Sequence, residues 1–277
     1  MKTVLLPCGE RVPALGQGTW NMGDDPALRA EELATLRLGL DLGLTLLDTA
    51  EMYGEGLSES LVGEAIAGRR DEVFLVSKVY PHNASRKAMR KSCENSLRRL
   101  RTGRLDLYLL HWSGSVPLAE TLEAFASLQR DGLIRHFGVS NLDLSDMREL
   151  TALPGGDQCQ TDQLLYNLTR RGIGHDLLPW LRSRGMPVMA YSPIEQGRLA
   201  GHRKLAQFAA GRSMTPAQVA LGWLLAQDDV IAIPKTSSRV RLQENTEALR
   251  HPLDAEALAE LDLLFPQPRG PVPLEML

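Results

Sequence analysis

Four polar side chains stand at or just beyond the ends of short apolar runs, and their chemical types suit proton transfer. Asp48 ends one run and Tyr53 follows in the next loop; Lys78 and His111 end the two runs after it. An ammonium group close to a tyrosine favours the phenolate and lowers the pKa of the hydroxyl. A carboxylate such as Asp48 would keep that ammonium charged, because an unpaired buried charge is costly.

This combination predicts a site that protonates a carbonyl oxygen. Tyr53 would be the proton donor, tuned by Lys78 and Asp48, and His111 would orient the carbonyl or stabilise the developing oxyanion. Taken singly, each residue is more typical of a solvated loop or a structural ion pair. The hypothesis therefore rests on the four residues together.

Strand and helix patterns alternate along almost the whole chain and would position these residues. Runs of Leu, Ile and Val without alternation are typical of strands buried on both faces. The predicted strands are 15–18, 45–48, 73–78, 105–110, 134–139, 159–163, 187–191 and 230–233. The predicted helices are 25–40, 57–67, 85–100, 118–131, 144–150, 176–184, 215–227 and 238–249.

Eight strand–helix units in about 250 residues predict an α/β fold of the closed (β/α)8 TIM barrel type. A doubly wound sheet would usually have fewer strands and a glycine-rich first turn. We expect one domain over residues 1–277, with a hairpin cap at 1–14, the barrel at 15–250, and a final helix and tail at 251–277. The end of the tail, 266–277, is expected to be partly loose. Because barrel active sites lie where strands end, the four residues would share one rim.

Composition narrows the classes of partner. The chain has 277 residues, 43% of them hydrophobic and 23% charged, with a net charge of -3, which indicates a globular protein and disfavours nucleic acid or anionic membrane. No apolar run is long enough to span a bilayer, and the first residues lack a signal-peptide core. Cys8, Cys93 and Cys159 are far apart, and the histidines show no paired spacing, so we expect no disulfide and no metal site. A cytoplasmic monomer is predicted, since no large unexplained apolar stripe is visible.

A phosphate site is predicted after the last strand. Lys235, Thr236 and Ser237 stand at the start of a helix, where free backbone N–H groups favour an anion, and Arg241 lies about one turn further on. Two positive groups there would bind the 2'-phosphate of NADPH, which NADH lacks, so NADPH is the expected cofactor. The alternative is that both cations lie at an exposed helix terminus and bind no ligand. The segment Gly16-Gln17-Gly18 lacks the third glycine of a dinucleotide fingerprint, so a Rossmann site is disfavoured.

Six segments resemble the signature blocks of the aldo-keto reductase family, and they span nearly the whole chain in order. They are LTLLDTAEMYG (44–54), VSK (76–78), LDLYLLHW (105–112), GVSN (138–141), AYSP (190–193) and IPKT (233–236). The resemblance implies a (β/α)8 barrel, NADPH as cofactor, and a catalytic tetrad of Asp48, Tyr53, Lys78 and His111. The compact chain looks most similar to small bacterial members that reduce methylglyoxal and other small aldehydes.

The resemblance also implies contacts residue by residue. It assigns the carboxamide to Ser140, Asn141 and Gln163, the nicotinamide stack to Tyr191, and the adenine to Glu244 and Asn245. The full set implied for the cofactor is Gly18, Thr19, Trp20, Asp48, Ser140, Asn141, Gln163, Tyr191, Ser192, Pro193, Ile194, Gln196, Gly197, Ile233, Pro234, Lys235, Thr236, Ser237, Arg241, Glu244 and Asn245. The set expected to line the substrate pocket is Trp20, Met52, Tyr80, His111 and Trp112.

Several alternatives stay open. The chain departs from the family at Asp162, where many members have Asn, and at Asn167, where many have His or Pro. One alternative is a cofactor-binding regulatory protein of the same fold with slow turnover. Another is a reductase of keto sugars or aromatic aldehydes. A cofactor-free lyase or isomerase would use Lys235 and Thr236 for a substrate phosphate. No Tyr-x-x-x-Lys occurs, which argues against the short-chain dehydrogenases. The short tail predicts an open, permissive pocket.

Overall fold

Eight parallel strands follow one another around the centre of the fold in chain order. They are β3 (Gln17–Gly18), β4 (Leu46–Asp48), β5 (Phe74–Val79), β6 (Leu105–Leu110), β7 (Ile134–Ser140), β8 (Asp162–Leu165), β9 (Val188–Tyr191) and β10 (Val230–Ala232). In this computed structural model, which describes residues 1–277, the first and last strands also meet. The Gly16 amide donates to the Ala232 carbonyl at 2.9 Å, and the Gly18 amide donates to the Pro234 carbonyl at 3.0 Å. The sheet is therefore closed, and the predicted (β/α)8 barrel is confirmed.

Ten helices accompany the strands, most of them in the crossovers between neighbouring strands. They are α1 (Arg29–Asp41), α2 (Leu57–Ala65), α3 (Arg86–Leu100), α4 (Leu118–Arg130), α5 (Leu144–Ala152), α6 (Leu177–Ser183), α7 (Arg203–Ala210), α8 (Pro216–Leu225), α9 (Arg239–Glu247) and α10 (Ala255–Leu264). The helices cover the outside of the barrel, so every residue of β5 and β6 is buried. This burial explains why those strands are nearly continuous apolar runs. None of the helices combines the length and the apolar character that crossing a bilayer requires.

A two-stranded hairpin precedes the barrel, as predicted. Strand β1 (Thr3–Leu5) pairs antiparallel with β2 (Arg11–Pro13), and Val4 and Val12 face each other in this register. Both valines are 1% exposed, because the inner face of the hairpin packs on the core while its other residues face solvent. The turn between the two strands lies at the end of the barrel away from the predicted catalytic residues.

The structure departs from the sequence-based elements in three places. The first helix begins at Arg29 rather than Asp25, because Asp25 instead closes a turn by accepting the Ala27 and Leu28 amides. The sixth barrel strand runs over Asp162–Leu165, later than the predicted 159–163. Helix α7 was not predicted, although Leu205, Phe208 and Ala209 bury one face of it at helical spacing. It is only 8 residues long, so too few apolar residues repeat at helical spacing to predict a helix.

The C-terminal tail contacts the barrel at both of its ends, and its expected looseness stays a prediction. The Arg171 guanidinium donates to the Phe265 carbonyl at 2.6 Å where the tail begins. Near its end, Glu275 forms an ion pair with Arg170. The backbone of the last residue, Leu277, lies close to the Tyr191 hydroxyl. The tail therefore runs along the same rim as the predicted active site, and the pocket is less open than a short tail suggested.

Candidate active site

Lys78 joins the predicted catalytic residues at the end of β5. Its Nζ donates to Asp48 Oδ2 at 2.8 Å, to the Thr49 carbonyl at 2.9 Å and to the Tyr53 hydroxyl at 3.1 Å. These three bonds use all three ammonium hydrogens. Lys78 is 0% exposed and Asp48 2%, so the ion pair is shielded from water. Burial alone would lower the pKa of Lys78, but Asp48 and Tyr53 outweigh it and the pKa is raised. Lys78 is therefore a fixed cation.

Asp48 is held from both sides. Its second oxygen, Oδ1, accepts from Gln163 Nε2 at 2.8 Å, while Oδ2 accepts from Lys78. The carbonyl of Asp48 also accepts the Thr19 hydroxyl at 2.9 Å. Residues of β4, β5 and β8, together with Thr19 just after β3, thus contribute to one hydrogen-bonded cluster. A carboxylate satisfied in this way can orient Lys78 without moving.

Tyr53 remains a neutral acid in this structure. The desolvated surroundings of its hydroxyl raise its pKa, and this effect outweighs Lys78, which lowers it, while Asp48 adds to the rise. The prediction that Lys78 brings the Tyr53 pKa below its usual value is therefore wrong in net direction, because burial was not visible from the residue types. Since Lys78 donates to the phenol oxygen, the hydroxyl hydrogen is left free to donate elsewhere.

His111 faces Tyr53 across the rim. The two rings lie 5.9 Å apart between centroids in an edge-to-face arrangement. Burial, and next the charge of Lys78, lower the pKa of His111 to about 2, so the imidazole is neutral at physiological pH. Its Nδ1 is buried without a hydrogen-bond partner. A neutral imidazole in this position can donate an N–H to a carbonyl oxygen without bringing a second positive charge next to Lys78.

The residues expected to hold a carboxamide do lie together at the ends of β7, β8 and β9. Ser140 Oγ donates to the Gln163 carbonyl at 2.8 Å, and Asn141 Nδ2 donates to Ser140 Oγ at 3.0 Å. The Tyr191 hydroxyl donates to Asn141 Oδ1 at 2.9 Å, which fixes the ring at the rim. Burial raises the pKa of Tyr191 to about 12, so it stays a neutral phenol.

The loop after β9 has a backbone suited to an anion. Ser192, Glu195, Gln196 and Gly197 all have left-handed φ values, of 48°, 50°, 54° and 88°. Such runs turn successive N–H groups toward one side and form concave anion sites. A Cβ built on Gly197 would meet nothing within 4 Å, so space adjoins the loop there. Pro193 is buried within the loop and Ile194 packs on the core. The Glu195 and Gly197 amides already donate to the Ser192 and Ile194 carbonyls, at 2.9 Å each, and the role of the loop in binding a pyrophosphate stays a prediction.

Asn167 and Arg170 brace this loop, and the sequence patterns did not single out either role. Asn167 Nδ2 donates to the Ser192 carbonyl at 2.9 Å and to Glu195 Oε2 at 2.7 Å. Arg170 donates to Glu195 Oε1 at 2.9–3.0 Å and pairs with Glu275 of the tail. The only local signal was the turn that the Asn167 side chain closes over Arg170. The partners themselves are distant along the chain and could not be read from it.

Lys235 and Arg241 are exposed cations with no ion-pair partner, whereas the neighbouring Arg239 pairs with Glu31 at 3.0 Å. Arg241 lies in the first turn of α9, where the Ser238 side chain accepts its amide, and Lys235 lies four residues before the helix begins. Two free cations at a helix N-terminus suit a phosphate. Ser237 is already engaged, because its hydroxyl donates to Glu32 at 2.9 Å.

The other residues expected at the cofactor fall into two groups. Gly18, Ile233 and Pro234 form the closure of the barrel, where a Cβ on Gly18 would lie 2.7 Å from the Ile233 carbonyl oxygen. Gly18 is thus required for close packing of the strands. Thr236 is half-buried in the loop before α9; Glu244 and Asn245 follow on α9, and Asn245 is 4% exposed. Their contact with a cofactor stays a prediction.

Of the residues expected to line the substrate pocket, Trp112 and Tyr80 lie beside His111 of the tetrad. Trp112 lies next to His111, with ring centroids 4.9 Å apart, and Tyr80 packs edge-on against Trp112 at 6.0 Å. Met52 is half-buried and Trp20 is 43% exposed. Glu51, which sequence reasoning missed, anchors this side by accepting the Tyr80 amide at 2.8 Å.

Asp162, the departure from the family pattern, is buried without a normal hydrogen bond to either carboxyl oxygen. Burial raises its pKa well above the usual range, and the nearby Leu142 backbone offsets this only in part. The folded chain therefore binds this proton more tightly than the unfolded chain. The free energy of unfolding should fall as the pH rises above about 4, the usual pKa of an aspartate.

We expect Asp162→Asn to remove that pH dependence and to raise the free energy of unfolding at neutral pH by about 1–3 kcal/mol. Urea unfolding of both proteins at acidic and neutral pH measures the effect. The reasoning fails if the difference between the two proteins is the same at both pH values.

Comparison with known proteins places this site in a family. The model of the "Aldo/keto reductase family" matches residues 14–264. The methylglyoxal reductase YeaE of Escherichia coli (strain K12) is 51% identical over 270 residues, which are 96% of this chain and 95% of that protein. A glyoxal reductase of Bacillus subtilis (strain 168) is 31% identical over 280 residues, which are 99% of this chain and 97% of that protein.

Solved structures agree with the sequence comparisons. An aldo/keto reductase from Klebsiella pneumoniae, crystallised in complex with NADP and acetate, is 48% identical to this chain. It superposes with a TM-score of 0.97 over 100% of this chain and 99% of that chain. The resemblance seen in the sequence blocks is thereby confirmed, and the chain belongs to the aldo/keto reductase family.

Proposed function

We propose that this protein is an NADPH-dependent oxidoreductase that reduces small aldehydes such as methylglyoxal to alcohols. The observation that carries the proposal is the buried ammonium of Lys78, which bonds Asp48 at 2.8 Å and the Tyr53 hydroxyl at 3.1 Å. This contact places a neutral phenol under the influence of a fixed cation, beside the neutral His111. The arrangement suits proton donation to an oxygen on which negative charge develops.

The chain's own residues fit NADPH. The left-handed loop at Ser192–Gly197 would take the pyrophosphate, and the unpaired Lys235 and Arg241 would take the 2'-phosphate. Ser140, Asn141 and Gln163 would hold the carboxamide, with Tyr191 beneath the nicotinamide. When bound, NADPH supplies the hydride that the side chains of the site lack. The Klebsiella relative, whose complex contains NADP, supports this assignment.

Tyr53 gives its proton to the carbonyl oxygen. As the proton leaves, negative charge grows on the phenol oxygen, and the Lys78 Nζ at 3.1 Å stabilises it. Asp48 keeps Lys78 charged and fixed. Neutral His111 donates an N–H to the same carbonyl oxygen, which orients the substrate and disperses its developing charge. Tyr80 and Trp112 would exclude water from one side of the substrate.

Small aldehydes fit the pocket better than bulky ones. The tail brings Leu277 close to the Tyr191 hydroxyl, so the rim is partly covered on that side. Trp112, whose ring lies 4.9 Å from that of His111, would border the substrate, with Trp20 and Met52 as the other expected lining residues. The name of the E. coli relative, a methylglyoxal reductase, supports the same substrate class.

The substrate class is tested by measuring kcat/KM with NADPH for methylglyoxal, glyoxal, aromatic aldehydes, keto sugars and simple ketones. We expect methylglyoxal to rank highest among them. A keto sugar or aromatic aldehyde with a higher kcat/KM would replace it as the substrate class, while leaving the reaction type intact.

Lys235→Ala and Arg241→Ala should each weaken NADPH binding by about 10- to 100-fold, because each removes a charged hydrogen bond to the 2'-phosphate. NADH lacks that phosphate, so its affinity should hardly change. Quenching of tryptophan fluorescence on titration with each cofactor measures both values. Arg250→Ala is a matched control, because Arg250 is exposed beyond the other end of α9 and pairs with Glu247. Equal weakening of NADPH and NADH would refute the 2'-phosphate role.

We further propose that the protein acts as a cytoplasmic monomer. The three cysteines are free thiols in the structure, which suits a reducing compartment. Exposed large hydrophobic residues such as Val240 and Leu263 lie on different helices, α9 and α10. Light scattering after gel filtration would give the mass of one chain; the mass of a dimer would refute this.

A further inference from the structure

Three potential metal ligands meet at the end of the barrel opposite the tetrad. Cys8 and Glu10 belong to the turn between β1 and β2, and His136 lies near the start of β7, whose other end carries Ser140. Cys8 Sγ is 3.7 Å from His136 Nε2, and Glu10 Oε2 is 3.2 Å from the same nitrogen. All three ligand atoms lie within 4.8 Å of one another. Because 128 residues separate Cys8 from His136, their spacing along the chain gave no sign of this cluster.

The distances and donor types suit zinc. A Zn²⁺ ion binds thiolate at about 2.3 Å and imidazole or carboxylate at about 2.0–2.2 Å, in tetrahedral geometry. Ligand atoms at the corners of such a tetrahedron are separated by about 3.3–3.6 Å. The Cys8–His136 and Glu10–His136 distances of 3.7 and 3.2 Å bracket those values. The third pair of ligand atoms, those of Cys8 and Glu10, lies within 4.8 Å, so a rotation of the Cys8 side chain would complete three corners.

The turn that carries two of the ligands is already ordered. The Leu6 amide donates to the Glu10 carbonyl at 2.9 Å, and the Gly9 amide donates to the Leu6 carbonyl at 2.9 Å. Gly9 has a φ of +87°, a conformation that glycine adopts without strain. The buried Gln160 side chain accepts the Cys8 amide at 2.9 Å and so ties the turn to the barrel. An ion would therefore meet ligands that are largely preorganised.

Charged neighbours hold the Glu10 carboxylate in place. Arg135 donates to both oxygens of Glu10, at 3.0 and 2.9 Å, and so orients the carboxylate. Asp106 Oδ1 also accepts from Arg135, at 3.2 Å, while Asp106 Oδ2 pairs with Arg70 at 2.8 Å. Two arginines and two carboxylates thus cancel, and the Cys8 thiolate would supply the negative charge that attracts a cation. Such second-shell contacts hold a ligand in place. Cys8 is exposed and His136 half-buried, so an ion can enter from solvent and a water can take the fourth position.

We propose that Cys8, Glu10 and His136 form a binding site for a zinc-class divalent cation, separate from the catalytic centre. On binding, the Cys8 thiol loses its proton to solvent and a metal–sulfur bond forms. The ion would link the hairpin turn to β7. Since it binds the folded chain and finds no such cluster in the unfolded one, it would stabilise the fold.

Cobalt serves as the test probe, because Co²⁺ replaces zinc and its thiolate complexes absorb strongly in the near ultraviolet. We expect titration of the freshly reduced full-length chain to give one equivalent of bound Co²⁺ with this absorption, and zinc to displace it. Cys8→Ser should abolish the absorption. His136→Gln should weaken Co²⁺ binding by about 100-fold, at least as much as the loss of a second-shell partner. His175→Gln, which alters an exposed histidine elsewhere, should bind as the unmodified chain does.

A second readout measures stability. Zinc should raise the Tm of the unmodified chain and leave that of Cys8→Ser unchanged. Absence of the thiolate absorption, or equal Co²⁺ affinity in the unmodified chain and in Cys8→Ser, would overturn the proposal. An equal rise of Tm in both proteins would also overturn it, because the ion would then bind elsewhere.

Discussion

Replacing Tyr53 by phenylalanine should lower kcat for aldehyde reduction by about 10²- to 10⁴-fold, the usual contribution of a positioned general acid. The change removes one oxygen atom, the one 3.1 Å from Lys78 Nζ, and leaves the ring in place. NADPH affinity should stay nearly unchanged, because Tyr53 is not among the residues that would hold the cofactor. Single-turnover kinetics and fluorescence titration separate these two quantities.

Tyr80→Phe is the matched control, since it removes a phenol oxygen from the same rim without touching Lys78. It should keep kcat within a few-fold of the unmodified enzyme. If Tyr53→Phe turned over methylglyoxal at a comparable rate, Tyr53 would not be the proton donor.

Replacing Lys78 by methionine should lower both activity and stability. The remaining Asp48 carboxylate would be 2% exposed with its Lys78 partner gone, and breaking a buried ion pair in this way costs about 3–5 kcal/mol. Activity should fall because the charge that stabilises the Tyr53 phenolate is absent. Urea unfolding gives the free energy change, and NADPH oxidation gives kcat.

The double variant Asp48→Asn/Lys78→Met separates the two effects. It removes both charges, so most of the lost stability should return, while kcat should remain as low as in Lys78→Met. If the double variant were no more stable than Lys78→Met, the uncompensated charge of Asp48 would not be the cause of the loss. If its activity recovered, Lys78 would have no electrostatic role.

Local sequence patterns were sufficient to predict the barrel and the grouping of the four residues at its rim. Strands buried on both faces leave continuous apolar runs, and a parallel barrel places the residues after those runs on one rim. Asp48, Lys78 and His111 could therefore be grouped without coordinates. Helix α7 was missed because its pattern is short, and β8 was displaced because the residues before it, from Cys159, are also buried.

Features that depend on distant contacts could not be predicted. The contacts of Arg170 with Glu275 and of Arg171 with the Phe265 carbonyl join residues that are about 100 positions apart. The sign of the Tyr53 pKa shift depends on how far burial outweighs Lys78, which residue types do not reveal. The cluster of Cys8 and His136 exists only because the hairpin packs beneath β7.

The most direct test is the oxidation of NADPH by the purified chain with methylglyoxal, followed by the loss of reduced-nicotinamide absorbance. Rapid oxidation that depends on methylglyoxal, and is much slower with NADH, is the predicted result. Tight NADPH binding without turnover on methylglyoxal or any other carbonyl would contradict the catalytic role of the Asp48–Tyr53–Lys78–His111 site and indicate a regulatory protein of the same family.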